Sequence, residues 1–253
     1  MDKILAIVTG PEHNGTTYMS KLLYSIPEVY SGFETGLLLN PDFKTCKPWC
    51  EWIFGGGEHW GVPKEIDFFD KNLSLDDKYK LLFKNKGSYC KTNIHQKLIK
   101  ESKYIVDKTP AYIRNLKLIR ENSGNIPIII SIKYLEDYYI SLCIKRRYSV
   151  SSFLKNYVEP VIENLTWIKE VKPENVFVFL YNDIIEEKFG EKLALILDLK
   201  DIEISYENYL KKVRNNNFSF KNWKKTKVDE DITIPIDKKI VEDYNSLINQ
   251  IKI

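Results

Sequence analysis

No apolar run in this chain is long enough to cross a bilayer. The N-terminal run Ile4-Leu5-Ala6-Ile7-Val8 has five residues, whereas a span needs about 20 and a signal-peptide core at least about 7. An excess of one charge sign is missing too. With 38 Lys and Arg against 35 Asp and Glu, the formal charge is only +3, and the two signs are mixed along the chain. Such a balance calls for neither nucleic acid nor an anionic membrane surface as partner. Cysteine is sparse, with Cys46, Cys50, Cys90 and Cys143. These four allow three disulfide pairings, but in a chain of this size they read as reduced thiols of a cytoplasmic protein. The C-x3-C spacing of Cys46 and Cys50 would need His59 and His95 to complete a zinc site, and the reduced-thiol reading is favoured over it. There is no repeat, no low-complexity tract and no linker, so 253 residues read as one domain over 1–253.

One further absence is chemical. Gly10-Pro11-Glu12-His13-Asn14-Gly15-Thr16-Thr17 has the G-x4-G spacing of a phosphate-binding loop, but Thr16 stands where G-x4-G-K-[ST] has lysine. The loop follows the apolar run 4–8 and opens a helix. Backbone N–H groups and the positive helix end therefore converge on one point that suits an anion. Transfer from ATP normally relies on Mg²⁺ and that lysine to offset the β- and γ-phosphate charge. A sulfuryl donor carries less charge at its transferring end and needs only amides, hydroxyls and a few cations, with no metal.

Apolar runs predict strands over 4–8, 104–106, 126–132 and 176–180. Helical patterns are expected over 17–25, 110–121, 137–148, 184–197 and 238–251. Glu34 follows Gly32-Phe33 at the expected end of a further strand. The alternation predicts an α/β fold, a P-loop-like three-layer arrangement with a mainly parallel sheet flanked by helices. In such sheets ligands bind beyond the carboxyl ends of the strands. The glycine loop, Lys108 and Lys133 all fall at such ends, and Ser141 lies eight residues beyond Lys133. Taken singly, a threonine at a helix start is a cap, Lys108 a surface charge and Ser141 a helix-face serine. Together they favour a ligand with two anionic groups. Residues 44–70 are rich in Trp, Phe and Gly and read either as a cover over the crevice or as a small sub-core.

Four stretches resemble the sulfotransferase family, and most of all its branch of protein-tyrosine sulfotransferases and bacterial relatives. Gly10–Thr17 is similar to the loop that holds the 5′-phosphosulfate of 3′-phosphoadenosine 5′-phosphosulfate (PAPS). Ile26-Pro27-Glu28-Val29, followed by Glu34-Thr35, resembles the family's H-P-E-V…E-T segment. Asp107-Lys108-Thr109-Pro110 with Tyr112 resembles its D-K-T-P-x-Y corner, and Ile130–Tyr134 with Ser141 its 3′-phosphate strand. Phe179-Leu180-Tyr181-Asn182-Asp183 is similar to its R-Y-E-D-L strand end. The resemblance covers about residues 3–200.

The resemblance implies that Glu34 is the catalytic base, with Lys108 and His13 meeting charge at the leaving oxygen. Gly10, His13, Asn14, Gly15, Thr16 and Thr17 would bind the 5′ side of PAPS, and Lys133 and Ser141 its 3′-phosphate. The acceptor would be a hydroxyl of a carbohydrate, a phenol or a peptide tyrosine, and PAP the product. Two departures stand out: Glu12-His13-Asn14 replaces the Arg-Ser part of P-R-S-G-T-T, and Lys133-Tyr134-Leu135 replaces R-D-P. The C-terminal part, about 214–253, reads as a closing loop and helix. Two other classes stay open, a small-metabolite kinase and a sulfotransferase-like binding protein without catalysis.

Overall fold

β-branched and aromatic residues crowd the segments that become strands: β1 (Lys3–Thr9), β2 (Val29–Phe33), β3 (Tyr104–Lys108), β4 (Ile128–Ile132) and β5 (Val176–Leu180). Every residue of β4 is buried, the pattern of a strand covered on both faces. The computed structural model describes residues 3–34, 36–39, 73–80, 102–144, 148–186, 189–199, 202–214 and 234–253. In it the five strands form one parallel sheet in the order β2-β3-β1-β4-β5.

Side-chain alternation divides the core in two. Ala6, Val8, Val106 and Ile129 face one layer with Met19 and Leu23 of α1 (Thr16–Tyr24) and Leu193 of α5 (Phe189–Ile196). Ile7, Ile128, Ile130 and Ile132 face the other. There they meet Leu116 and Ile119 of α2 (Leu116–Ser123), Leu165 of α4 (Glu159–Val171) and Ile248 of α7 (Lys238–Ile251). The result is the expected three-layer α/β fold. No helix among the described residues is long and apolar enough to cross a membrane.

The expected ranges 176–180 and 238–251 match β5 and α7, 4–8 and 17–25 differ from β1 and α1 by one residue at each end, and the others shift for identifiable reasons. β3 runs on through Asp107 and Lys108 because these polar residues are buried and bonded. β4 begins at Ile128, since Pro127 has no N–H for the ladder; its carbonyl accepts from the Ile7 N–H at 2.9 Å. The helix expected over 110–121 starts as a 3₁₀ turn, Pro110–Asn115, before α2. The one expected over 137–148 starts earlier, as α3 (Leu135–Tyr139), and widens into a π-helical turn, Ile140–Ile144. The one expected over 184–197 is divided into a turn, Tyr181–Ile184, and α5.

Besides the 3₁₀ turn Leu37–Leu39 and the helical stretch 75–80, two helical regions among the described residues had no counterpart in the sequence reading. One is Val150–Phe153, a π turn Leu154–Val158 and α4. Pro160 argues against a helix through this stretch, yet it sits in the first turn of α4, just after the π turn, where its missing N–H is not needed. The other is α6 (Tyr206–Arg214).

α6 is held to α1 by aromatic contacts and one cation. Tyr18 stacks on Tyr206 at 5.1 Å between centroids, and Tyr24 meets Tyr209 edge-on at 6.1 Å. The Lys212 ammonium donates to the carbonyls of Tyr24 and Ile26 at 2.8 Å and of Val29 at 3.0 Å. The Tyr24 carbonyl ends α1, where the helix leaves acceptors unfilled; the Ile26 carbonyl also accepts from the Val29 N–H at 3.3 Å, and Val29 opens β2. Burial pushes the Lys212 amine down to about 8 from its ordinary 10.5. Lys212→Met keeps the stem but removes the donor, and should cost on the order of 2 kcal/mol. The native state releases the Lys212 proton near pH 8, while the unfolded chain keeps it to about 10.5. The unfolded state therefore binds more protons in that window, and the wild type should gain on the variant as pH rises from 8 to 10. Urea unfolding of both proteins across this range checks the size and the sign.

Candidate functional site

The glycines of the loop after β1 are dictated by close approach. Gly10 has φ 146°, and a Cβ there would lie 2.0 Å from the Ser131 carbonyl oxygen. Gly15 has φ 90°, and a Cβ there would lie 2.1 Å from the Tyr181 ring. Gly15 is the N-cap of α1, and no side chain caps that helix. The loop is thus pressed between β4 and the end of β5, with the first turn of α1 opening from it. His13 is exposed and adopts a left-handed conformation, φ 63°. Thr16 is buried and Thr17 exposed.

Asn14 is fully buried. Its N–H donates to the Pro11 carbonyl at 3.1 Å and its Nδ2 to the Glu12 carbonyl at 3.0 Å. Its Oδ1 accepts from the Lys133 N–H at 2.7 Å, and its carbonyl accepts from Ser131 Oγ. Asn14, expected among the residues of the 5′ side, thus has both ends of its side chain and its backbone N–H bonded within the protein.

On the β3 flank, Glu34 leaves the end of β2 beside the end of β3, where Phe33 pairs with Asp107. Its carboxylate forms an ion pair with Lys108 Nζ. The Lys108 side chain is 8% exposed and that of Glu34 21%. A buried ammonium needs such a partner, while Glu34 keeps an edge open to solvent.

This geometry rests on Asp107, which is fully buried. Its Oδ2 accepts from the hydroxyls of Tyr79 and Tyr112, the latter at 2.7 Å, and its Oδ1 from Thr109 Oγ1 at 2.8 Å. Two of these hydroxyls reach on to the chain after β2. Thr109 Oγ1 accepts from the Gly36 N–H at 3.3 Å, and the Tyr112 hydroxyl from the Leu38 N–H at 3.1 Å. The D-K-T-P-x-Y corner is therefore a clamp on the segment that carries Glu34.

On the β4 flank, Lys133 Nζ donates to Ser141 Oγ at 2.7 Å, across the strand-to-helix turn. The same ammonium lies 4.8 Å from the centre of the Tyr181 ring, within cation–π range. Burial pushes the Tyr181 phenol up from its ordinary value, so it stays neutral beside the lysine.

The structure thus brings Glu34 onto Lys108 and Lys133 onto Ser141. It keeps the two pairs apart, on the strands that flank β1. Sequence reasoning nominated neither Asp107 nor Ser131 nor Tyr181 as site residues. Two of them had a signal: Asp107 breaks an apolar strand, and Ser131 interrupts a run of isoleucines. Tyr181 was visible only as part of a strand-end motif. Arg114 is a further cation beside the loop, 3.8 Å from the Glu12 carboxylate and 5.3 Å from the centre of the Tyr157 ring. Residues 44–70 and 215–233, with Cys46, Cys50, His59, Cys90 and His95, lie outside the described residues. Cys143 is a buried free thiol, pushed by burial up to about 11.

Comparison with protein-family models gives no match, and comparison with curated protein sequences gives none. Among solved structures, the chain is similar to the sulfotransferase domain from the Synechococcus PCC 7002 olefin synthase. The TM-score is 0.61 over 98% of this chain and 94% of that one, at 15% sequence identity. At that identity the likeness establishes the fold: a five-stranded parallel sheet between helices, as in a sulfotransferase domain.

Replacing Asp107 with asparagine keeps the shape of the clamp but removes its charge and exchanges one acceptor oxygen for a donor. Asp107→Asn should lower stability by about 3 kcal/mol, because at least one buried hydroxyl loses a charged acceptor. Chemical denaturation with an unchanged m-value would show this, whereas a shift below about 1 kcal/mol would mean the clamp carries little.

Proposed function

We propose that this protein transfers a sulfuryl group from PAPS to a hydroxyl of an acceptor, giving PAP and a sulfate ester. The observation that carries the reading is the placement of two cation sites on either side of the glycine loop. β1 lies between β3 and β4, so Lys108 and Lys133 belong to strands two spacings apart, roughly 10 Å across the sheet, with Lys133 farther along because Lys108 is level with Ile129 across β1. The chain passes from one side of β1 to the other between β3 and β4, and the crevice at such a reversal is where open parallel sheets bind ligands. A nucleotide with anionic groups on both sides of its ribose suits this spacing better than a single chain of phosphates. The fold, shared with a sulfotransferase domain, supports the reading.

In this mechanism Glu34 accepts the proton of the attacking hydroxyl. The acceptor oxygen bonds to sulfur as the bond from sulfur to the bridging phosphate oxygen breaks. Lys108 donates to that oxygen as its charge grows, together with His13 and the amides of Gly15, Thr16 and Thr17. An ammonium has three donors, so Lys108 can keep Glu34 in place while it serves the leaving group. Lys133 and Ser141 hold the 3′-phosphate. Positive charge from side chains does the work that a metal and a loop lysine share in ATP chemistry.

Two substitutions test the reading. Glu34→Gln should lower turnover about a hundredfold or more with little change in PAP affinity. Lys133→Ala should remove most of a preference for PAP over ADP, since a charge-assisted hydrogen bond contributes about 1.5–3 kcal/mol. Calorimetry with both nucleotides, followed by radiolabelled transfer from PAPS to a panel of sugars, phenols and tyrosyl peptides, gives the readouts. Equal PAP and ADP affinity in the wild type would sink the donor assignment. Mg²⁺-dependent ATP turnover would favour a kinase, and PAP binding without transfer a non-catalytic binding protein.

A further inference from the structure

We infer that Asn14 is a positioning residue that sets the distance between the two anion sites and so governs selectivity for a doubly anchored nucleotide. This rests on the donor reading above. Asn14 directly precedes Gly15, the N-cap of α1, and its Oδ1 accepts from the N–H of Lys133, the first residue after β4. One side chain therefore ties the start of α1, where the 5′ group is held, to the residue whose ammonium meets Ser141.

The chemistry of the carboxamide fits this task and few others do. At one end it accepts from Lys133 at 2.7 Å; at the other it donates to the Glu12 carbonyl at 3.0 Å. Aspartate would turn the second contact into a repulsion between oxygens. Alanine would take these contacts away from a part-buried N–H and a part-buried carbonyl. The Asn14 backbone is fastened as well, through Pro11 and through Ser131 Oγ. Complete burial and bonding of all four polar groups leave Asn14 the part of a strut within the protein.

A strut between two sites affects ligands unequally. A ligand anchored at one site follows that site if it shifts. A ligand anchored at both is bound as a linked pair, and its second contact forms only if the spacing fits the ligand. Loosening Asn14 should therefore weaken PAP much more than ADP, whose phosphates are all on the 5′ side. A role confined to stability would weaken both by the same factor.

The experiment titrates wild type, Asn14→Ala, Asn14→Asp and Ser131→Ala with PAP and with ADP. In parallel it follows hydrogen exchange of the Lys133 amide without ligand. For Asn14→Ala we expect PAP affinity to fall by about tenfold or more and ADP affinity to change by less than about threefold. Protection of the Lys133 amide should be lost. Ser131→Ala keeps the carboxamide and should shift the PAP-to-ADP ratio in the same direction by less, which serves if the Asn14 variants fold poorly. A PAP-to-ADP ratio equal to that of the wild type in all three variants would overturn the inference. A wild type with no preference for PAP would instead overturn the donor reading. In that case the exchange data decide the strut alone: unchanged Lys133 protection in Asn14→Ala would dismiss it, and lost protection would uphold it.

Discussion

A carboxylate buried without water is costly unless its lone pairs are filled, and the β3 side of this molecule is arranged around one that is filled. Asp107 has three hydroxyls on it, from Tyr79, Thr109 and Tyr112. None of the three can leave without exposing the others to the same penalty. Tyr79 brings in the helical stretch 75–80, and Thr109 and Tyr112 pass the constraint to Gly36 and Leu38. The next residue, Lys108, then meets a carboxylate whose position is already determined. The Lys108–Glu34 ion pair is the visible product of that arrangement, and Asp107 is its cause.

The opposite flank is built differently. Among the described residues, no buried carboxylate organises the end of β4. Its order comes from backbone proximity, with the glycine loop lying against Ser131 and Tyr181 so closely that neither Gly10 nor Gly15 has room for a side chain. Hydroxyl and carboxamide groups then fix the register between loop and strand. The cation carried here is a lysine, a point charge on a flexible stem rather than a planar fork. Its direction comes from its surroundings, with Ser141 Oγ on one side and the Tyr181 ring on another. The π-helical turn that carries Ser141 belongs to a class of local widening often found at functional positions.

The two flanks meet at β1, which is bonded to β3 on one side and β4 on the other. α1, which starts at the loop, is in turn held from behind by α6 through stacked tyrosines and Lys212. A single strand-loop-helix unit is thus gripped at three places: by the Asp107 corner, by the β4 edge and by α6. Within the loop, His13 and Thr17 keep exposed side chains.

The amino-acid sequence by itself determined the strands, the loop and the polar residues at the strand ends. These follow from apolar runs and from glycine spacing, which are local properties of a chain. Glu34, Lys108, Lys133 and Ser141 were legible in this way, as residues of suitable chemistry at suitable ends. The helix across Pro160 was not, because one proline outweighs a helical pattern until the π turn beside it is seen. The partnerships were decided by the tertiary structure alone. Lys108 meets Glu34 across 74 positions, and the Lys133 N–H meets Asn14 across 119. Strand order places β1 between β3 and β4, and nothing local encodes that order. Asn14 shows the difference most directly: in sequence it is a polar residue of an anion loop, and in the fold its amide is consumed by a strand that begins more than a hundred residues later. A hydrogen bond selects whichever donor and acceptor packing brings within about 3 Å, and only the folded chain determines which these are.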